Sequence, residues 1–153
     1  MNSDFIKIIK PQTLQEFEAY YFLRYKILRK PWNRELGSEK DDQEADSIHA
    51  MACNQNNLVL GVCRLQLNST HEAQIRYMAV EENVQGFGIG RKLMEFMEKE
   101  AIKINASKII LHSRVSANNF YEKCGYVVVE KSYLMWGEIQ HYLMEKEIKK
   151  SDF

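Results

Sequence analysis

Seven residues between a strand-like run and a helical one constrain this chain more than any other feature. Gln85-Gly86-Phe87-Gly88-Ile89-Gly90-Arg91 sets three glycines in five positions. It follows the apolar run Ala73–Val80 and precedes a stretch with Leu93, Met94, Phe96, Met97 and Ala101 at helical spacing. Glycines at this density let the backbone take positive φ and come close to a ligand. A helix starting there points unpaired N–H groups and the positive end of its dipole outward. That is the form of an anion site, suited to a phosphate, with Arg91 and Lys92 adding charge at its rim. Two common phosphate loops do not fit. A Walker A loop needs Gly-Lys-Ser/Thr, whereas Gly90 is followed by Arg91-Lys92. A dinucleotide fingerprint needs G-x-G-x-x-G and an acid at the end of the next strand, and that strand ends His112-Ser113-Arg114.

The rest of the chain arranges itself around this turn. Residues 5–10 read as a short strand stopped by Pro11, and Thr13 with Glu16 has capping-box spacing for a helix running to about Arg29. Residues 31–46 are polar and read as a loop with one helical turn. Two strands, 47–54 and 58–67, flank Gln55-Asn56-Asn57 as a hairpin. Then come the strand 73–80, the glycine turn, a helix 88–104 and a buried strand 107–114. A short helix from Ser116 closes near Cys124-Gly125, and the strands 126–134 and 139–148 end the chain. The order β-α-β-β-β-α-β-α-β-β implies a mixed α/β or α+β sheet, with the segment 73–114 forming a parallel pair.

A chain of 153 residues is one domain's worth, 1–153, and buries a self-sufficient core. Twenty-one basic residues cancel twenty-one acidic ones, so no general positive field draws it to nucleic acid or to a membrane. Cys53, Cys63 and Cys124 are odd in number and lack C-x-x-C spacing, which argues against a disulfide framework or a zinc ribbon. Met1-Asn2-Ser3-Asp4 does not read as a secretory signal. Reduced thiols and a cytoplasmic location are the expectation.

Two segments together carry a family resemblance. Tyr77-Met78-Ala79-Val80, then Gln85 and the pattern Q-x-x-G-x-G, resembles the acetyl-CoA motif of the GCN5-related N-acetyltransferases. Ala117-Asn118-Asn119-Phe120-Tyr121-Glu122-Lys123-Cys124-Gly125-Tyr126 resembles the same family's second signature. The resemblance covers roughly residues 47–146, and Trp136–His141 with Met144 is similar to the closing hairpin of the ElaA-like branch. It implies a mostly antiparallel mixed sheet with helices on both faces and a fourth and fifth strand that run parallel and splay. It implies acetyl-CoA as co-substrate and a small-molecule or peptide amine as acceptor, in a monomer or homodimer. The scattered histidines form no metal motif, so no metal is expected. By the same resemblance Met78, Ala79 and Val80 pair with pantetheine, and an N–H near Met78 faces the thioester carbonyl. The backbone of Gln85, Gly86, Phe87, Gly88, Ile89, Gly90 and Arg91 holds the pyrophosphate, and Tyr121 stands near the sulfur. The structural alternative for Tyr121 is an amphipathic core tyrosine.

The sequence departs from the family pattern in two places. Gln74 stands where some members carry a basic glutamate, and Glu72 lies roughly 20 Å along an extended strand from Met78. Arg114 stands where an asparagine is often found seven residues before the tyrosine, with Asn118 and Asn119 as candidate substitutes. The base is therefore open among His49, His112, His141 and a water chain. On the acceptor side Trp32 and Trp136 are candidates for an apolar wall, and Asp41, Asp42 or Glu44 for attracting a cation, against a plain solvated loop. A CoA-binding module without catalysis and a partner-binding domain with an empty wedge are the alternatives outside enzyme chemistry.

Overall fold

Thr13 and Glu16 form the box that their spacing predicts. The Thr13 hydroxyl accepts the Glu16 N–H at 3.1 Å, and the Glu16 carboxylate accepts the Thr13 N–H at 3.0 Å, satisfying two donors that the helix start leaves unpaired. In the computed structural model, which describes residues 5–153, this opens helix α1, Leu14–Leu28. The reading of Met1–Asp4 lies outside the described residues. Residues 5–66 with 77–97 form one compact unit, and 67–76 with 98–153 a second.

The first unit holds the strands β1 (Lys7–Ile9), β2 (Ile48–Cys53) and β3 (Val59–Leu67), the last residue of β3 excepted. They pair antiparallel in that order, with Met51 opposite Ile9 on one side and Val62 on the other. Helix α1 lays Tyr20 and Leu23 against Met51, Cys53, Val62 and Ala79, with Phe17, Tyr21, Ile27 and Leu28 at the margin. The loop 30–46 carries two short 3₁₀ turns, Lys30–Trp32 and Glu44–Asp46, instead of the single turn expected. Gly61 in β3 allows a close approach. A Cβ there would lie 2.8 Å from Ile89 Cγ2 and 3.0 Å from Leu93 Cδ1, so the absent side chain seats the start of the next helix on the strand.

Besides the last residue of β3, the strand β4 (Glu72–Val80) and the helix α2 (Ile89–Lys103) pass from one unit to the other within their own length. In the second unit β4 runs parallel to β5 (Lys108–Arg114), and β5 and β6 (Val127–Met135) each pair antiparallel with β7 (Ile139–Glu147). Helix α3 (Asn118–Lys123) follows a 3₁₀ turn at Val115–Ala117. The segment after α3 is held from below. Lys146 Nζ donates to the Cys124 carbonyl at 2.9 Å and pairs with buried Glu98 at 3.1 Å, and the Tyr126 hydroxyl donates to Glu98 at 2.9 Å. Among the described residues seven strands, mostly antiparallel with one parallel pair, give the mixed α/β class expected, and each element lies within a few residues of its predicted limits.

Candidate active site

The glycine turn is built by what comes before it. Glu81 N–H donates to the Leu60 carbonyl at 2.8 Å, and the Gln85 amide reaches back to the Val80 carbonyl at 3.2 Å, so the chain leaves β4 in a fixed direction. Gly86 (φ +89°) and Gly88 (φ +84°) then take left-handed backbone, and neither would bring a Cβ within 4 Å of the protein. The space beside them is open. Ile89 is buried and anchors α2, whose first turn bonds through Lys92 N–H to the Gly88 carbonyl at 3.1 Å. Among the described residues nothing accepts from the N–H groups of Gly88, Ile89 or Gly90. Gln85, Gly86, Phe87 and Gly88 are exposed, whereas Ile89 and Gly90 are buried, so the turn is open to solvent up to the first residue of α2. Unpaired donors at a helix start, with the dipole behind them and open space beside Gly86 and Gly88, fit a phosphate.

β4 contributes main chain of an unusual kind. Its ladder with β5 covers Glu72–Gln74 against Lys108–Ile110, and Ile75–Val80 lie beyond that register. Within this outer part Tyr77 sits at φ +57°, an outlier for a bulky aromatic in a strand. Met78 and Val80 are half-buried and Ala79 joins the core.

Two acids of the loop 30–46, Asp41 and Glu44, are taken up by buried arginines. Arg64, fully buried, donates to both Asp41 oxygens at 2.6 and 3.0 Å and to Glu44 at 2.7 Å. Arg24, also fully buried, donates to Glu44 at 2.8 Å and to the Tyr20 hydroxyl at 2.8 Å. This corrects the expectation that Asp41 or Glu44 attracts a cation: two buried guanidinium groups need compensation, and these carboxylates supply it. Asp42 alone of the three stays exposed without such a partner in the cluster. Sequence reasoning did not single out Arg24 or Arg64. Trp32 is 37 % exposed beside this loop, and Trp136 takes φ +53° at the β6–β7 turn.

In the second unit Tyr121 is buried on α3, its ring edge-on to Phe120 at 4.9 Å and Tyr126 at 6.3 Å. Asn118, at the start of α3, has a buried Oδ1 without a hydrogen-bond partner. His112 is half-buried, with Nδ1 3.0 Å from the Ser132 hydroxyl and its ring against Tyr133. Burial, then the charge of Arg76, pushes its pKa below the ordinary imidazole value. His141 is buried, stacked on Tyr133 at 4.4 Å, with Nδ1 donating to the Ile139 carbonyl at 3.0 Å. His49 in the first unit engages both ring nitrogens, Nε2 with the Glu44 carbonyl and Nδ1 with Tyr20, each at 2.8 Å. Burial lowers its pKa as well. Glu72 and Gln74 both accept from Asn68, at 3.4 and 2.9 Å. Cys53 and Cys63 are buried unpaired thiols, the latter pushed up to about 12 by burial. Among the described residues no group of three His, Cys, Asp or Glu is arranged to hold a metal, and no helix is long and apolar enough to cross a membrane.

Comparison with known proteins bears on both halves. The uncharacterized N-acetyltransferase YjcF of Bacillus subtilis is 24% identical over 142 residues, 93% of this chain and all of its own. An aminoglycoside 6'-N-acetyltransferase complexed with coenzyme A shares the fold at TM-score 0.78 and 17% identity, covering 94% of this chain and 97% of its own. Escherichia coli ElaA does so at TM-score 0.75 and 18% identity, covering 93% and 98%. The acetyltransferase (GNAT) family model matches residues 12–126, which takes in the capped helix α1, all of β4, the glycine turn and α3. On that match across three quarters of its length, the chain belongs to the GNAT acetyltransferase family.

Proposed function

We propose that this acyltransferase moves the acetyl group of acetyl-CoA to a primary amine of a small molecule or peptide by direct attack. The observation that carries the reading is the open glycine turn, where nothing among the described residues accepts from the N–H groups of Gly88, Ile89 and Gly90 at the start of α2. A structural neighbour of the same fold complexed with coenzyme A supports it. Bound there, the cofactor supplies an activated acetyl group and a thiol leaving group. The chain's own residues do the rest. Backbone donors from Gln85 to Arg91 bind the pyrophosphate, and the main chain of Met78, Ala79 and Val80 holds pantetheine as an added strand would be held. The Met78 N–H donates to the carbonyl oxygen as negative charge grows on it, where a fixed donor is worth most. The Tyr121 hydroxyl donates to the departing sulfur. A phenol near pKa 10 is a weaker acid than a thiol near 8.5, so this is a hydrogen bond and not a full proton transfer. Water takes the proton of the amine. Both nitrogens of His49 are engaged, and burial lowers the basicity of His112.

The test is acetyl-CoA turnover over a broad amine panel, read by release of free thiol. Thiol release that requires an amine is expected. CoA binding without turnover on any amine would make the protein a binding module, and no CoA binding would refute the reading altogether.

A further inference from the structure

Tyr77 is held in its left-handed conformation from several sides. Three guanidinium carbons lie near the centre of its ring, Arg24 at 4.3 Å, Arg64 at 4.9 Å and Arg29 at 5.7 Å. Its hydroxyl donates to Asp41 Oδ2 at 3.3 Å, and the same carboxylate is gripped by both terminal nitrogens of Arg64. Glu44 ties Arg24 and Arg64 together and accepts the Asp41 N–H at 3.1 Å. Strain of this kind persists only where the surroundings over-determine it, and here cations, a carboxylate and a buried setting do so. A left-handed residue also turns the next peptide out of the regular pleat. The next residue is Met78.

We propose that Tyr77 is a positioning residue, clamped by Arg24, Arg64 and Asp41 so that the Met78 N–H points at the reacting carbonyl. This rests on the acetyl-transfer reading given above. The acidic loop then acts on the chemistry without touching the co-substrate: it holds an aromatic ring, the ring holds a backbone angle, and the angle aims a donor. Pyrophosphate binding, which belongs to a different segment, carries most of the affinity for free CoA and pantetheine beside Met78 a smaller share, so the clamp is felt far more in turnover than in that affinity.

The experiment compares the full chain with Tyr77→Phe, Tyr77→Leu and Asp41→Asn. It measures kcat with an accepted amine, the Kd of CoA by calorimetry, and the backbone amide spectrum by NMR. Tyr77→Leu is expected to lower kcat about tenfold or more, short of the ~10²–10³ lost when a whole oxyanion donor is removed. The Kd of CoA stays within about twofold, the separation expected of an interaction felt in the transition state. Tyr77→Phe, which keeps the ring over the guanidinium groups, recovers most of that loss. The Met78 amide resonance shifts in Tyr77→Leu and Asp41→Asn, while those of Gly88 and Gly90 hold still. An unmoved Met78 amide together with unchanged kcat overturns the proposal. So does a parallel fall in kcat, CoA affinity and Tm, which would make Tyr77 a packing residue. If Tyr77→Leu does not fold, the Met78 amide in Asp41→Asn decides by the same criterion. A wild-type protein that acetylates no amine would refute the acetyl-transfer reading, and the Met78 amide would still decide whether the clamp exists.

Discussion

The loop 30–46 and the turn 85–90 are both polar segments of one unit, and they end in opposite states. In the first, Asp41 and Glu44 carry formal charge, yet buried Arg24 and Arg64 take up both. In the second no side chain is charged, yet the N–H groups of Gly88, Ile89 and Gly90 have no acceptor among the described residues. Charge in the sequence is therefore a poor guide to where this protein meets a ligand. Charged groups can find each other inside the fold, and a backbone donor facing open space at a helix start cannot. One segment is a clamp and the other a site.

The largest way to break that comparison is to remove a buried guanidinium. Arg64→Met leaves Asp41 and Glu44 without their shared partner, and breaking a buried pair from one side costs about 3–5 kcal/mol. Asp41 keeps 22% and Glu44 14% of its side chain exposed, so the lower end of that range is expected. Urea unfolding measures it. The fraction that remains folded should bind CoA with unchanged affinity, because the turn does not depend on the acids. A stability loss under about 1 kcal/mol, the worth of an exposed pair, would return the loop to the class of solvated surfaces.

Next is the turn itself. Gly88→Val places a branched side chain at φ +84°, a conformation that costs a non-glycine residue about 1–3 kcal/mol. It also fills the open space that the phosphate reading requires. CoA affinity should fall sharply in calorimetry on the folded variant, while Lys92→Ala, which removes only a side-chain charge, should cost far less. Normal CoA binding by Gly88→Val would dissolve the distinction between the two segments.

These expectations also show what a reader of the sequence can see. The glycine turn and the limits of α1 were legible because each has a local cause, glycine freedom in one case and the Thr13–Glu16 box in the other. The clamp was not. Arg24 lies on a helix face that reads as ordinary, and Arg64 lies in an apolar strand, and nothing local announces that both are fully buried. Asp41 and Glu44 looked like a cation site because their partners are 20 to 23 residues away, at Arg24 and Arg64. The angle at Tyr77 was hidden for a like reason, since aromatic residues favour regular strand and only tertiary contacts hold this one elsewhere.

A smaller effect sharpens how the turn is seated. Gly61→Ala places a methyl 2.8 Å from Ile89 Cγ2 and 3.5 Å from the Ala79 carbonyl. Overpacking typically costs about 1–3 kcal/mol, and one methyl against flexible side-chain ends belongs near the bottom of that range. Ile89 is the first residue of α2, so a modest loss of CoA affinity should accompany the loss of Tm. A variant as stable as wild type would show that the helix start can shift freely over β3.

The smallest effect is in pH, and it separates the segments by sign as well as size. His49 bonds through Nε2 to the Glu44 carbonyl and through Nδ1 to Tyr20, and burial holds its pKa below the ordinary imidazole value. A depressed histidine stays neutral in the folded state while the unfolded chain begins to bind a proton near pH 6.5. The unfolded state therefore binds more protons below that point, so stability rises with pH there and is lost as pH falls from about 6.5 toward the folded value. The slope for one such group cannot exceed about 1.4 kcal/mol per pH unit. His112 is depressed in the same direction, so His49→Gln should remove only part of the slope and the double change with His112→Gln more. Urea midpoints across this window measure it, alongside CoA affinity, which should not follow His49 because the turn 85–90 carries no titratable side chain. A slope that survives both substitutions would mean that imidazole protonation does not loosen the clamp, and CoA affinity that tracks His49 would mean that the two segments are not independent.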